Sequence, residues 1–311
     1  MANMNSFEPT IASLRLVMKI VETGKLTSAA AQLHMSQSGA SHALSVLESQ
    51  AGTELFIREW EGLRLSEAGQ RLLPYIEGIL NNVESIRSEI AGLSQLESGN
   101  LRVAAVPSLL SSILPPFLRE YSRRYPGVEV SAFEGTDDEV RMWIISGMAH
   151  VGFAALPVAG VIAEEIGRDE WLAMVPAGKF AGKASITLRE LAQHRFLMSG
   201  GGCEPHIQSM FASVRIHIAE HLMVKQMPTI QAMVAEDLGV SLVPSLSVNK
   251  VRGCRTLPLQ PRRFRNIGML RSTNPGSSPA LEAWMSLVRT KAQSAPGLAK
   301  TRPSARSDRA R

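Results

Sequence analysis

The chain has 311 residues, with 33 Lys and Arg against 28 Asp and Glu (net charge +5), two cysteines and 45% apolar residues. At roughly 100 to 200 residues per domain, this length implies two or three units with ample cores, and two cysteines in so long a chain exclude a disulfide framework. No stretch reaches the roughly 18 apolar residues of a membrane span, and residues 1–12 carry neither a basic residue nor an apolar run, so a cytoplasmic protein without a membrane partner is expected.

The first predicted elements form a helix pair. In Thr27-Ser-Ala-Ala-Ala-Gln-Leu33, a hydroxyl suited to a helix start precedes Ala29, Ala30 and Leu33 on one face. His34-Met35 interrupts this helix, and Ser36 offers a second cap. From there Ala40, Leu44 and Leu47 recur at helical spacing, which leaves Gln37, Ser38, Ser41, His42 and Ser45 on the opposite face. Small residues let two helices cross closely, and short polar side chains near a helix start can reach base edges and phosphates. Leu55-Phe-Ile-Arg58 then reads as a strand entering a hairpin and Arg64-Leu65 as its return, so both arginines flank a wing where cations can meet phosphates.

This segment resembles the N-terminal domain of LysR-type transcriptional regulators. The matching residues include Leu14, Val21, Gly24, Thr27, Ala29, Ala30, Leu33, Ser36, Gln37, Ser41, Leu47, Glu48, Gly52, Leu55, Phe56, Arg58, Arg64, Leu65, Ala68 and Gly69. Val17 and Leu26 stand where the family has phenylalanines, Ser38 where it has proline, and His42 where arginine is frequent. The resemblance implies a winged helix-turn-helix over 9–66 that binds double-stranded DNA through Thr27, Ser36, Gln37, Ser38, Ser41, His42, Arg58 and Arg64.

Leu72, Ile76, Ile79, Val83, Ile86, Ile90 and Leu93 follow an alternating four-three spacing, the pattern of a coiled-coil seam. A linker helix over 67–97 is expected, capped by Ser66 with Glu67 in its first turn and bent near Gln70 by Pro74. Such a seam makes a homodimer that can read two half-sites of a roughly palindromic operator. A homotetramer is implied by the family resemblance alone.

Beyond Asn100 strands and helices alternate: strands at Leu101–Val106, Val128–Phe133 and Val151–Ala155, with helices over 113–121 and 138–146 between them. This is an α/β unit with a largely parallel sheet. A second unit begins near Glu164, with strands at Glu170–Val175, Phe196–Met198 and Val240–Val243 and helices at Leu188–Ala192 and Thr229–Asp237; Ile267–Leu270 returns the chain to the first unit, and Ala280–Lys291 is its last helix. The fold class is thus α/β, a winged helix-turn-helix, a linker helix and a two-lobed effector domain over 98–292. Lobe 1 is about 98–163 with 266–292, and lobe 2 about 164–265. The family's effector domain, which this part resembles, is similar to periplasmic solute-binding folds.

Ligands of open α/β sheets sit beyond the carboxyl ends of strands, near helix starts. That logic points to a small-molecule effector in the inter-lobe cleft, touching Pro107, Ser108, Thr136, Gly201, Gly202, Cys203 and Thr229; each also suits a plain turn or cap. In Gly200-Gly-Gly-Cys-Glu-Pro205 three glycines precede a helix start. Glu204 as its cap would occupy the helix amides and repel an anion. Cys203 at such a start could have a lowered pKa, which makes a thiol-based redox sensor the alternative function. Peroxide-sensing members of the family carry a second cysteine a few residues later, where this chain has Phe211, Ala212 and Ser213.

His217-Ile-Ala-Glu-His221 matches the H-x-x-E-H pattern of inverted zinc proteases. That chemistry needs both imidazoles on one helix face and a third ligand, whereas Val214–Ala219 alternates like a strand. A zinc hydrolase using His217, Glu220 and His221, or a soluble solute-binding protein, is therefore the weaker reading, and no enzyme, metal or cofactor is expected. Residues 293–311, rich in Ser, Ala, Pro and basic residues, read as a disordered tail. This tail holds much of the positive charge: Lys300, Arg302, Arg306, Arg309 and Arg311 face only Asp308. Before Leu65, five basic residues face six acidic ones, so bulk basicity says little about DNA here.

Overall fold

The computed structural model describes residues 7–60, 62–91, 99–218, 221–248, 252–273 and 278–292. They form two compact units, the short Ile145–Met148 stretch being grouped with the first. The first contains α1 (Ile11–Thr23), α2 (Leu26–Gln32), α3 (Gln37–Ala51), the antiparallel hairpin β1 (Phe56–Glu59) and β2 (Gly62–Leu65), and α4 (Glu67–Ala91). Thr10 caps α1 by accepting from the Ser13 amide at 3.1 Å. Leu14, Leu16 and Ile20 of α1 pack with Ala29, Ala30, Ala40, Leu44 and Phe56 in one core.

Thr27 does not cap α2. The helix starts two residues earlier than a Thr27 cap would set it, with Lys25 at its N-cap and no side-chain cap bond. Leu26, one turn before Ala29 and Ala30, packs against the same core and so joins the helix. α4 continues as helix through Pro74; the proline has no amide for the Gln70 carbonyl.

The second unit contains β3 (Gly99–Ala105), α5 (Pro107–Ser112), α6 (Leu114–Arg124), β4 (Val128–Glu134), α7 (Asp137–Ser146), β5 (Val151–Leu156), β6 (Ile162–Pro176), α8 (Leu188–Leu191), β7 (Phe196–Ser199), α9 (Glu204–Ala212), β8 (His221–Val224), α10 (Met227–Ala235), β9 (Ser241–Pro244), a 3-10 turn at Ser245–Ser247, β10 (Cys254–Arg271) and α11 (Pro279–Ala292). Strand order in the main sheet is β4-β3-β5-β10-β6-β9. β3 pairs in parallel with β4 and β5, but β10 runs antiparallel to both β5 and β6, and β9 antiparallel to β6. The sheet is therefore mixed, not largely parallel.

The reason lies in two strands longer than expected. β6 has 15 residues and β10 has 18, and together they run through both lobes. Thus Ile267–Leu270 is the end of one strand that began at Cys254. Prolines at 258 and 261 and a basic run at 262–265 hide its alternation in the sequence, and the pairing register shifts between Pro258 and Arg263.

Lobe 1 is built around Trp284, Tyr121 and Phe153, with the Tyr121 hydroxyl donating to the Ala280 carbonyl at 2.8 Å. In lobe 2 the sheet carries a core on each face: Trp171, Phe196 and Phe211 on one, Met174, Leu197 and Ile230 on the other. The Val214–Ile218 stretch is not a strand. It leaves α9 in a turn with Arg215 at φ 59°, and β8 begins only at His221.

Candidate functional site

Two regions of this fold carry exposed or convergent polar chemistry. In the first unit, the Ser36 hydroxyl caps α3 by accepting from the Gly39 amide at 3.1 Å. Ala40, Leu44 and Leu47 bury one face of the helix, while Gln37, Ser38, Ser41 and His42 stand exposed on the other. The face offers an amide, hydroxyls and an imidazole and lacks any Lys or Arg from Gln37 to Ala51. Thr27 is exposed in the first turn of α2.

The hairpin is bolted to the helices. Oε1 of Glu48 in α3 accepts from the Leu55 and Phe56 amides at 2.7 and 3.2 Å, and the Leu63 amide donates to the Gly24 carbonyl at 2.8 Å. A Cβ at Gly62 would lie 2.2 Å from the Gly24 oxygen, and one at Gly69 2.2 Å from the Leu55 oxygen; close backbone approach requires glycine at both. Arg58 is exposed. Arg64 donates from Nε to Glu59 Oε1 across the hairpin at 2.6 Å, so part of its charge is compensated within the wing. The anchoring role of Glu48 was not legible in the sequence, because a carboxylate on a helix face reads as solvated.

Ser66 caps α4 as expected, its Oγ accepting from the Gly69 amide at 2.9 Å. The seam assigned to this helix needs correction. Ile76 is 7% exposed in the core of the first unit, where Leu72 also packs. The outward apolar residues are Tyr75, Ile79 and Ile86, 44, 41 and 60% exposed, with Val83 half-buried. A helix lying on its own domain must bury one stripe there, which divides the four-three pattern between two faces. The Ile90 side chain and Leu93 lie outside the described residues.

The second region lies between the lobes. Arg265 and Asp169, direct cross-strand partners on β10 and β6, form a pair only 6% and 0% exposed at their side chains. Asp169 Oδ2 accepts from Arg265 Nε and Nη2 at 3.0 and 2.7 Å; its Oδ1 accepts from the Ser245 hydroxyl at 2.6 Å and the Leu246 amide at 3.2 Å. Arg265 Nη2 also donates to the Ser108 hydroxyl at 2.6 Å. The guanidinium sits 5.7 Å from the centre of the Trp171 ring, which neighbours His206.

From α9 in lobe 2, His206 Nε2 meets Asp137 Oδ2 of α7 in lobe 1 at 2.9 Å, while Asp137 Oδ1 accepts from the Ala155 amide. Beside this bridge Thr136 caps α7 reciprocally with Glu139. Gly202, at φ 99°, would bring a Cβ to 3.3 Å from Thr136. The structure therefore brings together Ser108, Thr136, Gly202 and Cys203. Pro107 is exposed at the start of α5 beside Ser108, and Gly201 lies against the Lys225 carbonyl. Thr229 lies in the first turn of α10, whose Ile230 and Val234 pack in the core on the other face of the lobe 2 sheet from Cys203. Asp169, Arg265, Asp137 and His206 escaped the sequence reading, although a lone Asp-Glu pair inside the alternating Ile166–Val175 run is the signal that could have marked Asp169.

Two expectations about the α9 start fail. Glu204 is not its cap; the N-cap is Cys203 without a side-chain cap bond, and Glu204 Oε1 instead accepts from Gln208 at 2.9 Å. The Cys203 thiol is pushed up, not down, because burial outweighs the opposing effects of Arg265 and the Ser199 hydroxyl. Cys203 and Cys254 pack against opposite faces of the lobe 2 sheet. A disulfide needs Cα atoms within about 7 Å, so these two thiols cannot pair without rebuilding the lobe.

His217 lies in the irregular stretch after α9 and His221 opens β8, so the two imidazoles do not share a helix face; Glu220 lies outside the described residues. Among the described residues no three His, Cys, Asp or Glu side chains gather as a metal site, and no helix is long and apolar enough to cross a membrane. Residues 293–311, assigned to the tail, are likewise outside the described set.

Residues 11–70 match the model of the bacterial regulatory helix-turn-helix proteins of the lysR family, and residues 94–293 match the LysR substrate binding domain. The chain belongs to the LysR family. It is 29% identical over 284 residues to the probable transcriptional regulator LrrA of Synechococcus elongatus, covering 90% of this chain and 96% of the relative. It is 26% identical over 294 residues to a probable hydrogen peroxide-inducible genes activator of Mycobacterium avium, covering 91 and 94%. Among solved structures, the LysR-family regulator CbnR complexed with its target DNA aligns with a TM-score of 0.64 at 21% identity, over 90% of this chain and 99% of CbnR. This LysR-family protein is a DNA-binding transcriptional regulator with an effector-binding domain.

Proposed function

We propose that α3 docks in the major groove with Gln37, Ser38, Ser41 and His42 toward base edges, while Arg58 and Arg64 contact flanking phosphates. The observation that carries this is the Ser36-capped helix whose first turns expose the polar side chains of Gln37, Ser38, Ser41 and His42. Two such heads, paired through Tyr75, Ile79, Val83 and Ile86 of α4, read the two halves of an operator as a homodimer. A small-molecule effector enters between the lobes beside Ser108, Thr136, Gly202 and Cys203. By binding one lobe arrangement better than another, it shifts the population of DNA-competent dimers.

The test is a pair of variants on a duplex enriched from a random library by the protein itself. Gln37→Ala should relax discrimination between that duplex and random DNA, whereas Arg64→Ala should weaken both and lower the salt slope by about one unit. Equal losses for Gln37→Ala on both duplexes would remove direct readout from α3. A single-thiol response of Cys203 is a second reading, supported by the similarity to the peroxide-inducible activator. Cys203→Ser with an unaltered transcriptional response to peroxide would exclude it.

A further inference from the structure

The turn joining β1 and β2 carries Trp60, whose side chain is wholly in solvent at 102% exposure; among the described residues the next most exposed large apolar one, Ile86, stands at 60%. None of the described residues of the first unit covers this ring. Nor can the hairpin easily fold it away, since both strands are tied down by Glu48, by the Leu63 amide on Gly24 and by the Ser66 hydroxyl on the Glu54 carbonyl. Apart from Arg58 and Arg64 the tip offers phosphates no cation: Glu59 accepts from Arg64, and residues 58–64 hold two basic and two acidic residues in sequence. What the tip presents is a flat apolar ring with one N–H donor.

We propose that Trp60 is a DNA contact of this protein: its indole packs against the deoxyribose wall of the minor groove that flanks the major groove entered by α3. Continuity favours DNA over a protein partner. The hairpin is anchored through Glu48 to α3 itself, so the rigid wing extends the surface that meets the duplex, and minor-groove binders use apolar side chains, there inserted between base steps; a ring lying on the sugar wall is the milder form of that contact. The ring fixes position and not sequence. Because an uncharged contact releases no counterion, it adds affinity without adding to the salt slope. This rests on α3 docking in the major groove.

The chain has four tryptophans. Trp171 and Trp284 are buried at 2% and 0% exposure, and Trp143 is half-buried, so Trp60 dominates quenching by neutral acrylamide. With the full chain and the library-enriched duplex, the quenchable emission that Trp60→Phe abolishes should be shielded at saturation. Trp60→Ala should weaken binding about tenfold, the scale of burying part of an aromatic ring, with an unchanged salt slope, and Trp60→Phe should retain most affinity. A Trp60 still open to acrylamide in the saturated complex overturns the proposal, as the ring would then await a protein partner. Shielding that grows with protein concentration before DNA is added overturns it too, by assigning the ring to a copy of the chain. Failure of α3 docking alone looks different: Gln37→Ala would keep full discrimination while Trp60 remained shielded on DNA.

Discussion

Asp169→Asn is the sharpest perturbation of the effector domain, because the substitution keeps shape and removes charge. The wild-type carboxylate accepts four hydrogen bonds, two from Arg265 on Oδ2 and one each from Ser245 and Leu246 on Oδ1, at a residue with 0% exposure. An asparagine has one acceptor oxygen and one donor nitrogen. Facing the oxygen to Arg265 turns the NH2 toward the Ser245 hydroxyl and the Leu246 amide; the reverse sets the NH2 against the guanidinium. Either way Arg265, 7% exposed, keeps its charge without a counter-charge. Removing one member of a buried pair costs about 3–5 kcal/mol, which for a unit of this size lowers the melting midpoint by about 10 °C.

The assay is urea unfolding followed through the fluorescence of Trp171, whose ring lies beneath the Arg265 guanidinium. Following this ring matters because the two units can unfold separately. Asp169→Asn combined with Arg265→Met removes both charges and should recover at least about half of the loss, since buried pairs replaced by apolar groups are often near neutral. Simple addition of the two single losses, or a loss below about 1 kcal/mol for Asp169→Asn, would refute the view that this pair joins the lobes as a coupled unit.

The remaining predictions concern α4, one histidine and one thiol. Ile76→Ala should destabilise the first unit by about 2–4 kcal/mol as a core truncation, whereas Ile79→Asp should leave its melting midpoint nearly unchanged and shift the sedimenting species toward the monomer. Burial, and secondarily Arg102, pulls His150 down to about 3 from its ordinary 6.5, while its Nδ1 accepts from the Arg102 amide. The unfolded chain therefore takes up the proton first as pH falls: this stability is complete above about pH 6.5 and is lost progressively toward pH 3. His150→Asn, which keeps an acceptor and cannot be protonated, should flatten that part of a stability-against-pH curve measured by urea unfolding. Since burial raises the Cys203 thiol, iodoacetamide should label it more slowly at pH 7 than a free cysteine, and a faster rate would contradict that direction.

The first unit was legible because short-range rules decide it: Ser36 caps, Ala29 and Ala30 allow close crossing, and glycines stand where a Cβ would strike backbone. The errors there are of register. Thr27 gave way as a start because burying Leu26 gains more than a side-chain cap, and two residues of the four-three pattern of α4, Leu72 and Ile76, were claimed by the domain's own core. In the second unit the elements were largely legible but the long crossing strands were not, since prolines and arginines interrupt the apolar alternation of β10. The site followed the same division. Ser108, Thr136 and Gly202 stand at strand ends and helix starts, where local rules point, while Arg265, Asp169, His206 and Asp137 meet only through pairings far apart in sequence, for which no local spacing exists.

The charge distribution of the first unit bears on how an effector could control DNA binding. Five basic residues against six acidic ones precede Leu65, and one of the five, Arg64, is held by Glu59. A single head therefore has a small electrostatic grip on the duplex, and its affinity must come from groove contacts that a few polar side chains can make. Linking two weak heads multiplies their affinities only when the geometry lets both engage at once. A strongly basic head would bind regardless of how its partner sat; paired as proposed above, this one would depend on the pairing. A change in lobe arrangement that misplaces one head would forfeit most of the binding free energy, which makes weak single-head affinity a requirement for effector control and not a defect of the DNA-binding unit.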